Sequence, residues 1–243
     1  MTRVNCTQCP LRSFPVFTPL TEAEVAFQQS FKAGELTVKR GTTVLAEGSS
    51  SPQLYTVLAG QGVRYKTLEN GRRQVLNFVF PGDFLGLQAG LMGEMKHSVE
   101  ASTAMVLCVF DRAELWQLFR AQPSRAYDLT WIAAAEEHFL GETIATLGQR
   151  DAIQRLAWAL LRIHERLDAV GLVQDGAGSM PFRQQDLADA LGLSLVHTNK
   201  TLSRLREREL CDWSDGRLRI MNLDAMARLG TTERERPERR PLM

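Results

Sequence analysis

Residues 184–207 read QQDLADALGLSLVHTNKTLSRLRE, and this stretch constrains the fold more than any other part of the chain. Leu187 and Leu191 stand four residues apart, which places them on one face of a short predicted helix. Gly192 gives the backbone freedom that a tight turn needs, and the hydroxyl of Ser194 can cap a second helix. The spacing therefore predicts a helix–turn–helix.

The second helix has a polar face that a helix packed on all sides does not need. The candidate DNA-binding residues of this face and its cap are Ser194, Val196, His197, Asn199, Lys200, Ser203 and Arg204. The major groove of DNA admits a helix, whose amide and ammonium groups can bond base edges while other polar groups bond phosphates. The other interpretation is a solvated helix in an unrelated bundle.

A predicted hairpin follows the second helix directly. Residues 210–222 read LCDWSDGRLRIMN, in which two short β-like runs flank a turn with glycine in place. Such a hairpin would lie beside the recognition helix as a wing, with Arg217 near the DNA backbone. The wing favours DNA binding over the unrelated bundle.

The first half of the chain has a different texture. Short alternating apolar runs fill residues 36–110, with turn signals such as Pro81-Gly82-Asp83 between them. Their even spacing predicts a small antiparallel barrel or jelly roll. With the helices that follow, the fold class is α+β. We divide the chain into an N-terminal segment (1–20), a β-rich unit (21–122), a long helix (123–148), a helix–turn–helix unit with its wing (149–224) and a charged, solvated tail (225–243).

The long helix carries one apolar stripe at three- and four-residue steps. The stripe residues that we assign to a dimer seam are Leu129, Ile132, Glu136, Phe139, Leu140 and Thr143. Their stripe is narrow and interrupted by polar residues, which favours a seam between two copies of the chain. The alternative is a helix packed on its own barrel.

Composition excludes several classes of protein. Apolar residues make up 44% of the 243 residues and the net charge is +1, so any nucleic-acid surface is a local patch. We find no membrane span and no apolar leader, and we expect a cytoplasmic protein with reduced thiols. We find no P-loop and no nucleophile–base motif, so an enzyme is not expected. A module that regulates another protein is the remaining alternative, against which the helix–turn–helix argues.

Three stretches of the chain carry a resemblance to known proteins: QQDLADALGLSLVHTNKTLSRLRERELC, LYTVLAG and GRRQVLNFVFPGDFLGL. Taken together, they resemble the Crp/Fnr family of bacterial transcription regulators, in its Fnr/FixK-like branch. The resemblance runs from about Phe14 to Leu223. It implies a sensor barrel of the cyclic-nucleotide-binding type, a dimerisation helix and a winged helix–turn–helix. It also implies a homodimer on a palindromic DNA site that acts on RNA polymerase as an activator. The best-known branches have Glu and Arg where this sequence has Val196 and Lys200, so we expect a different operator.

The resemblance also identifies a candidate effector pocket. Its residues are Gly86, Leu87, Gln88, His97 and Ser98. In relatives that bind cyclic nucleotides, a Glu holds the ribose and an Arg holds the phosphate, whereas this sequence has Leu87 and His97 there. Each lost charge-assisted hydrogen bond costs about 1.5–3 kcal/mol, so useful cAMP binding is not expected.

The Fnr branch holds an iron–sulfur cluster on three N-terminal cysteines and one in the barrel. Cys6 and Cys9 have a ligand-like spacing, and Cys108 falls where the barrel cysteine is expected. The third N-terminal cysteine is missing near Pro15, which leaves three thiols. An iron–sulfur redox or oxygen sensor is therefore the alternative function. A zinc or redox role for the first two thiols, and no metal at all, also stay open.

Two further sensing options concern other residues. His97 and His138 could take part in haem binding, although a lone histidine is more often a surface or hydrogen-bonded residue. Cys211 follows the recognition helix and is either a packed thiol or a site where oxidation disturbs the wing.

Overall fold

A computed structural model describes residues 4–234 and 238–243 of the chain. These residues form two compact units. The first contains residues 4–66, 79–136 and 239–243, and the second contains residues 67–78, 137–234 and 238. The chain thus leaves the first unit at Thr67 and again at Glu137, and it returns at Val79 and at Arg239.

The first half of the chain is mostly β-structure. Its helices and strands are α1 (Glu22–Phe31), β1 (Lys32–Val38), β2 (Thr43–Leu45), β3 (Gln53–Ala59), β4 (Gly62–Thr67), β5 (Arg73–Val79), β6 (Phe84–Leu85), α2 (Leu87–Met92), β7 (Ser98–Ala101), β8 (Met105–Asp111), α3 (Leu115–Ala121) and α4 (Pro123–Gln149). Among the described residues they form two antiparallel sheets, with strand orders β1-β8-β3-β6 and β2-β7-β4-β5.

Inward-facing side chains explain why the two sheets of the first unit pack face to face. In β8, Met105, Leu107 and Val109 alternate with more exposed residues and are buried, as a strand with one face in a core requires. Val57 of β3 lies opposite Leu107 and is fully buried, as is Val99 of β7. The described strands are not closed into a barrel, so the predicted barrel or jelly roll is a jelly-roll-like sandwich.

The second unit is built on an amphipathic helix. Its remaining helices and strands are α5 (Ala152–Ala169), β9 (Val173–Gln174), β10 (Ala177–Ser179), α6 (Gln184–Leu191), α7 (Leu195–Glu207), β11 (Cys211–Ser214), β12 (Arg217–Ile220) and α8 (Leu223–Leu229). Asp151 caps α5, and Leu156, Leu160 and Leu167 are buried along one face of it. The strands form an antiparallel sheet with the order β11-β12-β10-β9.

The end of the chain departs from the expected solvated tail. Helix α8 occupies the start of the range 225–243, and residues 235–237 lie outside the described residues. Leu242 and Met243 are only 3% and 5% exposed and belong to the first unit. Tertiary contacts with distant residues override the charged local sequence here.

In the described part of the chain, no helix combines the length and apolar character that crossing a bilayer requires.

Candidate nucleic-acid interface

The helix–turn–helix forms where the sequence predicts it. Helix α6 ends at Leu191, and Gly192 adopts a left-handed conformation with φ of 64°, which ends the helix without a Cβ penalty. Ser194 caps α7, because its Oγ accepts a hydrogen bond from the backbone N–H of His197 at 3.2 Å. Leu187 is fully buried and fixes the first helix on the body of the unit.

Helix α7 has one buried face and one exposed polar face. Thr198, Thr201 and Leu205 are at most 1% exposed and hold the helix on the unit. The sequence-predicted DNA-binding residues of the helix and its cap are all exposed: Ser194, Val196, His197, Asn199, Lys200, Ser203 and Arg204. Val196 is 79% exposed, a large fraction for an apolar side chain on a helix with a packed side. The exposed side therefore combines one apolar surface with amide, ammonium, hydroxyl and guanidinium groups.

The predicted wing is the hairpin of β11 and β12. Asp215 and Gly216 have φ values of 50° and 69°, which suit the two-residue turn of a hairpin. Arg217 is exposed, but its guanidinium donates to the backbone oxygens of Gln174 at 2.8 Å and Ala177 at 3.1 Å. Those bonds brace the wing against the neighbouring hairpin, so the side chain predicted for the DNA backbone has a structural role as well.

Two ion pairs that the sequence analysis missed support this surface. Arg206 Nε lies 2.6 Å from Asp212 Oδ1, which ties the end of α7 to the wing. A hydrogen bond from Ser214 lowers the pKa of Asp212, and Arg206 adds to the effect. Arg183 pairs with Asp186 at 2.7 Å at the start of α6. An Arg three residues before an Asp at a helix start is a local signal that could have indicated this second pair.

Several residues of the stripe that the sequence analysis assigned to a dimer seam contact their own chain. Leu129 is 2% exposed and Ile132 packs against the same core of the first unit. Glu136 Oε1 lies 2.9 Å from Arg64 Nη1, in the same unit. In the second unit, Phe139 stacks on Trp158 at a centroid distance of 6.1 Å.

The last two residues of that stripe are partly accessible. Leu140 is 38% exposed, and Thr143 donates its hydroxyl to the backbone oxygen of Phe139 at 2.9 Å. Part of the stripe thus packs on its own chain, and its assignment to a dimer seam stays a prediction. Apolar periodicity identifies a buried face but cannot say whether one chain or two cover it.

Another face of α4 is accessible along the helix. Its residues follow steps of three and four, and all are exposed: Tyr127, Thr130, Ala134, Glu137, Gly141 and Ile144. Tyr127 and Ile144 are each 70% exposed, and two of the positions between them are Ala and Gly. Alternating steps of three and four are the heptad spacing of a two-helix seam. A search for apolar periodicity does not detect this face, because most of its residues are small or polar.

Several of the candidate effector residues contact other parts of their own chain. Gly86 caps α2 with a φ of 93°, and Leu87 packs against the apolar cluster around Phe110. Gln88 accepts a hydrogen bond from the backbone N–H of Lys96 at 3.0 Å, and Ser98 accepts one from the backbone N–H of Glu47 at 3.0 Å. These polar side chains are already engaged by the chain.

His97 is half-buried in the same region. Burial, together with the nearby positive charge of Arg64, lowers the pKa of His97 to about 4. Glu136 and Glu47 oppose these effects, whereas Lys66 adds to them. The imidazole is therefore neutral at physiological pH and cannot supply the positive charge that a phosphate needs. His138, the other histidine considered for haem, is exposed.

The three cysteines considered for a cluster line one pocket of the first unit. Cys6, Cys9 and Cys108 share its wall with Leu242 and Met243. Burial raises the pKa of the Cys108 thiol to about 11, so the free thiol is protonated at neutral pH. Among the residues that the structure describes, no three His, Cys, Asp or Glu side chains are placed to hold one metal ion. The described residues therefore do not fit an iron–sulfur cluster.

Cys211 lies in the second unit and is 1% exposed. Burial raises the pKa of its thiol to about 12, so it is protonated at neutral pH. These properties favour the packed thiol over the oxidation site.

Comparisons with known proteins cover both units. Residues 35–122 match the family described as cyclic nucleotide-binding domain, and residues 154–229 match the Crp-like helix-turn-helix domain. The chain is 31% identical over 200 residues to the nitrogen fixation regulation protein FixK of Bradyrhizobium diazoefficiens, covering 82% of this chain and 83% of that protein. It is 27% identical to the transcriptional activator protein FnrL of Cereibacter sphaeroides, with 83% of this chain and 82% of that protein covered. The solved structure of FixK2 from Bradyrhizobium japonicum has a TM-score of 0.73 at 25% identity, over 80% of this chain and 96% of that one.

Proposed function

This chain belongs to the Crp/Fnr family of DNA-binding transcription regulators and is not an enzyme, and from this premise we propose that it acts as a homodimer on a palindromic promoter site. The observation that carries the proposal is the exposed face of α7. Asn199 and Lys200 extend from a helix that buried Thr198 and Thr201 hold in place. A rigid helix with its polar groups exposed fits the major groove.

Each side chain of this face has a chemical role in the proposal. Asn199 can bond both edge atoms of an adenine, and Val196 can pack on a thymine methyl group. Lys200 donates to a guanine or thymine acceptor but lacks the two-pronged geometry of Arg. Ser203 and Arg204 bind phosphates, which fix the register without reading the sequence. We therefore expect the operator to differ from the half-sites that Glu and Arg recognise in other branches.

Dimer formation uses the exposed face of α4 in this proposal. Ala134 and Gly141 allow a partner helix to approach closely, and Tyr127 and Ile144 add apolar area at the ends of the face. Two copies related by a two-fold axis place their α7 helices about one turn of DNA apart (roughly 34 Å). The regulator then works in the cytoplasm as an activator that contacts RNA polymerase, and it does not respond to cAMP.

The test first identifies the operator, by selecting from a pool of random DNA duplexes those that the purified protein binds. On that operator, Lys200→Ala and Asn199→Ala should each weaken binding by about 1–3 kcal/mol, roughly 5- to 150-fold, and relax the preference at one base pair. Arg204→Ala should weaken operator and random DNA alike and reduce the slope of log affinity against log salt by about 1.

Arg228→Ala is the matched control, because Arg228 is an exposed arginine on α8 and its loss removes the same charge. Its operator affinity should stay within about twofold of the wild type. Wild-type affinity and base preference in the Asn199 and Lys200 variants would overturn the proposal.

A further inference from the structure

The segment Arg239–Met243, called the strap below, is bound in a groove of the first unit. Arg240 bridges Phe17 in parallel: its N–H donates to the backbone oxygen of Val16 at 2.8 Å, and its own oxygen accepts from the N–H of Thr18 at 2.9 Å. The strap therefore binds as an added strand, the way that extended peptides bind an exposed backbone edge.

A buried ion pair fixes the register of this segment. Arg240 Nη1 lies 3.0 Å from Asp83 Oδ1, and Asp83 is 4% exposed. The other carboxylate oxygen of Asp83 accepts a hydrogen bond from the backbone N–H of Phe80 at 2.9 Å, so both oxygens of the carboxylate have donors. A charge-assisted bond away from solvent is stronger than one on the surface.

The apolar end of the strap fills the space between β3 and α4. Met243 belongs to the core cluster that contains Leu54, Phe110 and Leu129. Thr56 donates its hydroxyl to the backbone oxygen of Met243. Apolar burial of two side chains and a hydrogen bond to the strand thus add to the ion pair.

Arg125, in the first turn of α4, joins the strap to that helix. Its side chain is 2% exposed, and it donates to the backbone oxygen of Leu242 and lies 3.3 Å from the sulfur of Met243. It also pairs with Asp128 at 2.6 Å, one turn further along α4. Without the strap, this buried guanidinium would lose an acceptor, which is costly for a charged donor.

The same two turns of α4 expose Tyr127 and Thr130 on the face that we assign to the dimer seam. We propose that the strap is an intramolecular ligand of the first unit, which holds the start of α4 in the position that dimer formation requires. This inference rests on the proposed function, since it assumes that α4 carries the seam. Docking of the strap then controls dimer formation, and dimer formation controls operator affinity.

The experiment uses full-length protein, the variant Arg240→Ala and a variant that lacks residues 239–243. Both variants should show faster amide hydrogen exchange at residues 124–132 and a dimer dissociation constant raised by about tenfold or more. Arg239→Ala is the matched control, because Arg239 is an exposed neighbour of the same charge, and it should leave both quantities unchanged.

A peptide with the sequence of residues 239–243 tests directly whether docking of the strap causes these effects. Added to the shortened protein, it should restore slow exchange at residues 124–132 and tight dimer formation, whereas the reversed peptide should not. If Arg240→Ala and the shortened protein both match the wild type in exchange and dimer formation, the proposal is overturned. Mixed dimers in which the strap of one copy docks on the other would overturn its intramolecular form.

Failure of the underlying function gives a different result. If the wild-type protein stays monomeric and binds no DNA, while residues 124–132 of the shortened protein still respond to the peptide, the proposed seam is refuted and the docking of the strap is not.

Discussion

Replacing Glu136 with Gln separates the two roles that this residue has been given. The sequence places Glu136 in a dimer seam, whereas the structure pairs it with Arg64 at 2.9 Å inside one unit. The side chain of Arg64 is 11% exposed and that of Glu136 is 33% exposed. Arg64 also donates to the backbone oxygen of Phe84 at 3.1 Å. Burial disfavours the charge of Arg64, but Glu136 and Asp83 outweigh this effect and raise its pKa.

The expected cost follows from what the substitution leaves behind. Glu136→Gln keeps the shape but removes the charge that neutralises a buried guanidinium, and breaking a fully buried pair costs about 3–5 kcal/mol. Because Glu136 is one-third exposed, water screens part of the interaction, and we expect about 2 kcal/mol here. The loss should fall on the stability of the first unit and not on its dimer affinity.

Native-state amide hydrogen exchange measures this directly, since the slowest amides of β4 report the unfolding free energy of the unit. Glu114→Gln is the control, because Glu114 is an exposed glutamate of the first unit and lies outside α4. The double variant Arg64→Met with Glu136→Leu should recover most of the loss, because no unpaired charge remains buried. Unchanged exchange in β4 together with a weaker dimer in Glu136→Gln would refute this reasoning and restore the seam assignment.

Three further outcomes follow from single residues. Gly192→Ala should destabilise the second unit by about 1–2 kcal/mol, as measured by hydrogen exchange. The cost is backbone strain, because the φ of Gly192 is 64° whereas an added Cβ would meet no atom nearer than 3.9 Å. Gly192→Asn should cost less, because Asn tolerates this conformation better. The pKa of His97 is lowered to about 4, so its contribution to stability is complete above about pH 6.5 and is lost as the pH falls towards 4. His97→Gln should flatten the stability–pH curve in that window, and His138→Gln, at an exposed histidine, should not. Calorimetric titration with cAMP should show no binding at micromolar concentrations, because Leu87 packs into an apolar cluster, and micromolar affinity would contradict this.

Much of the DNA-reading surface could be predicted from sequence because its signals are local. Gly192, Ser194 and the spacing of buried leucines act within one or two helical turns, and the structure places a helix–turn–helix and a hairpin where these signals fall. The β-rich half is likewise predicted as a jelly roll from alternation and turns. Family membership follows from the same segments, which match known relatives.

Assignments that depend on distant partners were not predictable in this way. Part of the apolar stripe of α4 packs on its own chain, and the partner of Glu136 is 72 residues away. Arg217 has backbone acceptors 43 and 40 residues away, which give a candidate DNA contact a second role as a brace for the wing.

The sequence alone determined the helix–turn–helix, its hairpin and the exposed side of α7, because caps, periodicity and left-handed glycines act over a few residues. Tertiary structure decided which faces are left uncovered and where the charged end of the chain binds. Arg125 meets Leu242 and Arg240 meets Asp83 across 117 and 157 residues. Such partners are selected by burial and charge in the folded unit, and nothing in the neighbouring residues specifies them.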